Sequence, residues 1–463
     1  MYHRIISKVS RVPRTSGLKP QWSQRSFTKT LRERMKEVVP KEQERVKALL
    51  SKHGDKVLSQ VTVKQAVSGM RSVKALICET SALDEHEGIR FRGLSVPEVQ
   101  AKLPKPSVRG LKGEYVLIEG EIPTADEAKQ LSEELASEPR CCVPKHVRQL
   151  IDDLPVHQHP MSQFSASVLA LQSESKFARA YEEGVNKSQY WEYALEDALT
   201  LIARIPGVSS RIYRHCFRDG MMIKHDPSLD WSANWCHMSG YDGVEIYDLM
   251  RMYFAIHSDH EGGNVSAHAC HLVGSALSDP YLSFAAGLCG LAGPLHGLAN
   301  QESLRFIKKI QRKLGDRKPD KEFIQDFVVD LLSSGQVVPG FGHAVLRKTD
   351  PRYMIQREFA LKYLPDDETF KVVSLLYEVV PDVLKNWKGG KVANPWPNLD
   401  AHSGCLLQHY GLVEDHFYTV LFGMGRALGV MSQYVVSRAL GFPIERPKSV
   451  TTQAIEKQFD AKP

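Results

Sequence analysis

No apolar run in the 463 residues reaches the roughly 18 residues that argue for a membrane-spanning helix. The best stretch, Leu282 to Leu295, is too short and is broken by Gly287, Gly290, Gly293 and Pro294. There is no CxxC pair. The eight cysteines (Cys78, Cys141, Cys142, Cys216, Cys236, Cys270, Cys289 and Cys405) are scattered like small apolar residues, which suits a reducing compartment and excludes a disulfide scaffold. There is no internal repeat of 20–50 residues, which excludes a solenoid. No low-complexity tract interrupts the body. What remains is ordinary for a globular chain: 42% hydrophobic and 25% charged residues. The length allows about three domains, and a chain this long buries most of its surface without a metal or disulfide staple.

Acidic residues are missing from one place. Residues 1–32 hold five Arg and three Lys, and the first carboxylate is Glu33. Removing those eight from 60 basic residues leaves 52 against 54 acidic ones, so the net charge of +6 belongs to the leader. A nucleic-acid surface loses its main support. The leader, rich in Arg, Ser and Thr, reads as a mitochondrial transit peptide over 1–32, with a disordered basic tail as the alternative.

The body, from 33, reads as mostly helical. Residues 33–52 form a charged amphipathic segment. Val57 to Val63 and Ile89 to Phe91 read as short strands, the second after a turn at Asp84–Gly88. Phe323 to Leu332 shows a double apolar stripe opened by Pro319-Asp320 and closed by Gly335. Glu368 to Val379 repeats the style and is expected to stop at Pro381. Strands are too few for a Rossmann-type parallel sheet.

Three Gly/Pro-rich stretches each carry an acid or base, as reactive loops between rigid helices do. His296 follows Gly293-Pro294, which would suit a first helical turn. There the helix dipole disfavours imidazolium, and a neutral ring can donate N–H to a developing oxyanion; simple packing at a helix start is the other reading. His343 ends Pro339-Gly-Phe-Gly-His343, with Arg347, Lys348 and Arg352 following, so either an anion or a plain tight turn fits. Asp400 follows Trp396, whose indole could exclude water and raise the carboxylate toward a useful base; a turn-starting Asp is the alternative. Arg426 lies in the apolar segment Phe417 to Val430, so it is buried and needs an anion, from a distant carboxylate or from a ligand. His257-Ser-Asp-His260-Glu261 and His268-Ala-Cys-His271 have metal-like i, i+3 spacing, but they lack an HExxH motif and are separated by Gly262-Gly263, so no metal is assigned.

Five stretches together resemble the citrate synthase family in its eukaryotic mitochondrial form. They are His257–His268, Gly293–Gln301, Val338–Arg352, Asn394–Asp400 and Arg438–Ser449, and the resemblance covers nearly the whole body from about Val39. It implies a mostly α, citrate synthase-like fold with minor β. A large helical domain (33–297 and 405–463) and a smaller one (298–404) would close over the substrate, in a homodimer with shared sites. The implied activity is condensation of acetyl-CoA with oxaloacetate and water to citrate and CoA in the mitochondrial matrix, with no cofactor, metal, nucleic acid or membrane. Asp400 would take the methyl proton, His296 would hydrogen-bond the enol or enolate oxygen, and His343 would polarise the ketone. His260, Arg352, Arg426 and Arg446 would hold oxaloacetate, Arg446 from the partner subunit. CoA would meet Arg71, Lys187, Val338, Gly340, Gly342, Arg347 and Asn398. Lys187 departs from the vertebrate-type Arg, and a lysine binds phosphate as a point charge. A 2-methylcitrate synthase using propionyl-CoA is the nearest alternative. An inactive scaffold and a metal-dependent hydrolase are further ones.

Overall fold

The computed structural model describes residues 29–102, 122–389 and 392–460. The leader up to residue 28 lies outside them. Helix α1 (Lys29–His53) puts Leu31, Met35 and Val39 into the core at four-residue spacing. Leu31 is fully buried, and Arg32 Nε donates to Glu192 Oε2 at 3.0 Å. The expected leader boundary at 32 therefore cuts through a packed turn.

Residues 57–62 are not a strand. They run without regular structure into the short helix α2 (Val63–Val67), and Val57 and Leu58 are 76% and 73% exposed. β-branched composition makes a strand only where an edge is available to pair with and a core to face. The second expectation holds: β1 (Ser81–Asp84), β2 (Gly88–Phe91) and β3 (Leu94–Ser95) form an antiparallel meander, with Ser81 opposite Phe91. Asp84 Oδ1 closes the first turn by accepting from His86 and Glu87 N–H at 2.8 Å. Ile89 and Phe91 pack with Val96 and Val99 of α3 (Val96–Lys102) in a small separate cluster that Ile355 also touches.

Helices dominate from residue 125. In order they are α4 (Ala125–Ala136), α5 (Lys145–Asp153), α6 (Pro160–Leu171), α7 (Lys176–Glu182), α8 (Tyr190–Phe217), α9 (Trp231–Ser239), α10 (Val244–Ile256), α11 (Val265–Ser275) and α12 (Pro280–Leu291). Then come α13 (Ala299–Leu314), α14 (Lys321–Ser333), α15 (Pro351–Tyr363), α16 (Glu368–Asn386), α17 (Asp400–His409), α18 (Tyr418–Leu440) and α19 (Thr452–Asp460). The stripe at Phe323–Leu332 is α14, and Asp320 caps it by accepting from Phe323 N–H at 2.8 Å.

Pro381 does not end its helix: α16 continues to Asn386. A proline inside a helix costs about 3 kcal/mol. Burying Val379, Val380 and Leu384 on that same last stretch offsets this at about 1.5–3 kcal/mol per side chain.

Every residue of α18 from Tyr418 to Ala439 is buried, as its lack of a polar face requires. It packs along α8 and against α6, α10, α11 and α12. Helices α13 to α17 pack mainly on one another. Helix α17 crosses position 404, so the expected second domain boundary falls inside a helix.

Candidate active site

Close approach of α18 to the end of α10 builds the floor of the site. A Cβ on Gly429 would lie 2.1 Å from the Ser258 carbonyl, and one on Gly425 would lie 3.0 Å from that of Phe254. Only glycine lets α18 lie this close to the 257–264 loop. Arg426, between them, donates Nη1–H to Asn264 Oδ1 at 3.0 Å and sits 5.0 Å over the Phe422 ring. Its Nε has no partner, and among the described residues no carboxylate pairs with it. Burial pulls its pKa down to about 10, against the attraction of Asp259. A buried guanidinium held only by a neutral amide favours the ligand-clamp reading over a structural ion pair.

Asp259 fixes the loop from beneath. Its carboxylate accepts from Thr80 Oγ1 at 2.6 Å, Gln433 Nε2 at 2.7 Å and His260 N–H at 2.9 Å. Burial, followed by the Arg352 guanidinium and the neighbouring His343 and Arg426, keeps His260 neutral. Among the described residues its Nε2 has no hydrogen-bond partner, and its ring lies 5.5 Å from that of His343, centroid to centroid.

His343 and Asp400 belong to one unit because their loops are stitched together. Gly342 N–H donates to the Trp396 carbonyl, Asn398 N–H to that of Gly340, and Asn398 Nδ2 to that of Gly342, all at 2.9 Å. Gly340, at φ 80°, would place a Cβ 2.7 Å from Ala401 Cα, so glycine is needed for contact with α17. Gly340, Gly342 and Asn398, expected at CoA, thus have a structural role, and Val338 is buried beside them. His343 Nδ1 accepts from Val345 and Leu346 N–H at 3.0 and 3.1 Å. The ring proton therefore sits on Nε2. Burial and the Arg352 charge bring its pKa down to about 4.

His296 is not in a first helical turn. It lies in the turn between α12 and α13, and α13 begins only at Ala299. The helix start that matters is that of α11: Ser266 N–H donates to His296 Nε2 at 3.3 Å, with Ser266 Oγ at 3.0 Å. Accepting there leaves the proton on Nδ1. Burial, with help from Arg426, pulls the His296 pKa down to about 4. The expected neutral ring is present, set by burial and a different helix.

Asp400 opens α17, half-buried, with its N–H donating to Asn398 Oδ1 at 3.0 Å. Burial pushes its carboxyl up to about 6, against the pull of Arg352. The Trp396 ring carries the Lys385 ammonium 4.5 Å from its centre. Arg352 is already paired: Nη2 donates to Asp350 Oδ2 at 2.7 Å and Nε to Oδ1 at 3.0 Å. Asp350 also caps α15, accepting from Arg352 N–H at 2.9 Å. Burial raises the Asp350 pKa, but the Arg352 guanidinium outweighs that and holds it low.

His260, His296, His343, Arg352, Arg426 and Asp400 thus form one electrostatically coupled group. Arg71, Lys187, Arg347 and Arg446 are exposed, and no hydrogen bond or ion pair joins them to it within one chain. Arg347 Nη1 donates to the Val345 carbonyl at 2.8 Å. The metal-like histidines separate: His257 is buried with its Nδ1 2.7 Å from the Tyr253 carbonyl, whereas His268 bonds Glu445. Among the described residues no group of three or more His, Cys, Asp or Glu could hold a metal. None of their helices is long and apolar enough to cross a membrane. Sequence reasoning missed Asp350, Asp259, Asn264 and Ser266. Asp350-Pro351 and Asn264-Val265 carry readable helix-start signatures; Asp259 and Ser266 carry no local one.

A half-buried carboxylate of raised pKa, two neutral histidines with defined tautomers and a buried arginine define an acid–base enzyme for a carbonyl compound that carries carboxylates. Comparison with known proteins agrees. Residues 69–448 match the family model described as citrate synthase, C-terminal domain. Mitochondrial citrate synthase of Daucus carota is 55% identical over 432 residues, spanning 92% of this chain and 90% of that one. A probable mitochondrial citrate synthase of Glossina morsitans morsitans is 54% identical over 439 residues, 93% of each. The chain belongs to the citrate synthase family. Among solved structures, citrate synthase of Pyrobaculum aerophilum shares the fold at TM-score 0.73 and 24% identity, covering 86% of this chain and 95% of its own. That of Thermoplasma acidophilum, solved with carboxymethyl coenzyme A and oxaloacetate, shares it at TM-score 0.68 and 22% identity, covering 83% and 95%.

Proposed function

We infer that the chain is a citrate synthase, an acyltransferase that condenses acetyl-CoA with oxaloacetate and water to citrate and CoA, and that it works in mitochondria. No observation favours the propionyl-CoA alternative. The observation that carries the mechanism is the pairing of a raised Asp400 with a His296 that is neutral and protonated on Nδ1.

Asp400 takes a proton from the acetyl methyl while His296 Nδ1–H donates to the thioester oxygen as it gains charge. A neutral donor matches the weakly acidic enol better than an imidazolium would. His343 donates Nε2–H to the ketone oxygen of oxaloacetate. The enol carbon then bonds to the ketone carbon, and the ketone oxygen takes up the His343 Nε2 proton to become the hydroxyl of citryl-CoA; solvent replaces that proton and Asp400 releases the methyl proton to solvent, so both side chains return to their starting states. Water cleaves the thioester, giving citrate and the CoA thiol. Arg352, Arg426 and His260 hold the oxaloacetate carboxylates; each charge-assisted hydrogen bond is worth roughly 1.5–3 kcal/mol. The exposed Arg446 completes that set from the partner subunit, and the basic Arg71, Lys187 and Arg347 suit the CoA phosphates.

The small domain of 298–404 closes over oxaloacetate in this reading, with α17 running across its second boundary. Closure after the first substrate protects the thioester from futile hydrolysis. A two-fold dimer accounts for the exposed Leu282 on α12 and the exposed Leu169 and Leu272 on α6 and α11, which both pack on α12. The matrix is the compartment that fits a soluble enzyme with such a leader.

Thiol release from acetyl-CoA tests the activity. It should appear only when oxaloacetate is present. Equal release without oxaloacetate would identify a thioesterase, and none with it would remove the reading.

A further inference from the structure

Beyond Gly441, where α18 ends, the chain leaves the body, and Arg446 is exposed on this tail. Most of the tail's residues are exposed; Phe442, Glu445 and Ile455 are half-buried. Glu445 is tied down by two hydrogen bonds along one face of α11. Its N–H donates to Ser275 Oγ at 3.0 Å, and its Oε1 accepts from His268 Nε2 at 2.8 Å. Its Oε2 lies 3.7 Å from His271 Nε2 and has no hydrogen-bond partner among the described residues. A carboxylate has only acceptors to offer, so His268 presents its Nε2–H. His268, His271 and Ser275 recur at i, i+3 and i+7, so they line one stripe of the helix.

We propose that Glu445 is a positioning residue for the neighbouring subunit's active site: clamped to α11 by His268 and Ser275, it fixes the tail so that Arg446 is presented at a set place. The assignment rests on the reading that Arg446 serves the partner's oxaloacetate. An arginine on a free tail would lose chain entropy at each binding event. Anchoring the preceding residue removes much of that cost beforehand. The anchor is also rigidly related to the chain's own site. Ser266 and Asn264, which hold His296 and Arg426, stand at the start of α11, within about one turn of His268 and roughly 14 Å from Ser275 at 1.5 Å per residue. One helix thereby sets both ends of the shared geometry.

The test compares steady-state kinetics of Glu445→Ala, His268→Ala, the double variant, Glu445→Gln and Arg446→Ala. Glu445→Ala should raise KM for oxaloacetate roughly ten- to a hundredfold, the equivalent of one charge-assisted hydrogen bond. KM for acetyl-CoA at saturating oxaloacetate should stay as in the wild type. His268→Ala should share the effect and the double variant should add little, because the two act as one clamp. Glu445→Gln keeps an acceptor for His268 and should recover most of the loss, which distinguishes positioning from misfolding. Wild-type oxaloacetate KM in Glu445→Ala, alongside an impaired Arg446→Ala, would overturn the clamp and leave the shared site standing. Wild-type kinetics in Arg446→Ala would overturn both.

Discussion

Replacing Asp400 with Asn should destroy the enzyme and stabilise the protein. Burial raises this carboxyl from 3.8 to about 6. At 1.36 kcal/mol per pKa unit, the ionised group costs the folded state about 3 kcal/mol at neutral pH. Linkage gives the pH window. A raised acid binds its proton more tightly in the folded state, so the folded state is favoured by this group below about pH 4 and loses that advantage as pH rises through 6. Asn carries no charge, so the variant should match the wild type near pH 4 and exceed it by up to about 3 kcal/mol above pH 6.5. Thermal midpoints at fixed protomer concentration across this range provide the assay, because assembly also shifts them. Turnover should fall roughly a hundred- to ten-thousandfold with the base gone. In the wild type, kcat/KM should drop below pH 6, to about a tenth of its plateau at pH 5. A variant less stable than wild type at pH 7, or one keeping more than a few per cent of turnover, would refute the argument.

Other outcomes follow from the same geometry. His257 and His402 are buried and His260, His296 and His343 half-buried, all held neutral by desolvation, with pKa values of about 3 for His257 and about 4 for His296, His343 and His402. A depressed histidine favours the folded state above 6.5 and loses that as pH falls toward its folded pKa, so stability should decline steeply between pH 6.5 and 4; a flat profile there would count against their burial. Calorimetry should show oxaloacetate tightening acetyl-CoA binding, with the reciprocal effect equal; identical affinities would remove closure. Deleting residues 1–28 should leave activity and thermal midpoint intact and keep the protein out of mitochondria. Deleting 1–32 should cost stability as well, because it removes the buried Leu31, and core leucine truncations cost about 2–5 kcal/mol. Gly429→Ala should weaken oxaloacetate binding or destabilise the fold by about 1–3 kcal/mol, since its methyl meets the Ser258 carbonyl; an unchanged enzyme would show that α18 can shift.

How much of this was readable in the chain varies by residue. Arg426 was legible because an arginine in a wholly apolar helix has to be buried, and the structure buries it. Phe323–Leu332 was legible because its stripe, cap and stop agree. Pro381 misled because the burial that carries α16 past it comes from packing on α13, α14 and α17, none of which is local. Val57 to Val63 misled for the opposite reason: strand composition had no partner edge. For His296 the neutral state was foreseen from a helix start, but the helix is α11, some 30 residues earlier, and no spacing rule reaches that far. Asp259 has three hydrogen-bond donors from Thr80, Gln433 and its neighbour His260; only the tertiary fold gathers the first two.

In the proposed mechanism one condensing site draws Asp400 from one chain and Arg446 from its partner. Co-refolding Asp400→Ala with Arg446→Ala tests this, since each variant alone is expected to be inactive. In a mixed dimer one site carries both lesions and the other carries neither. Random mixing makes about half the dimers mixed, so roughly a quarter of wild-type activity should return. No activity in verified mixed dimers would mean that Arg446 serves its own subunit, and would contradict the claim.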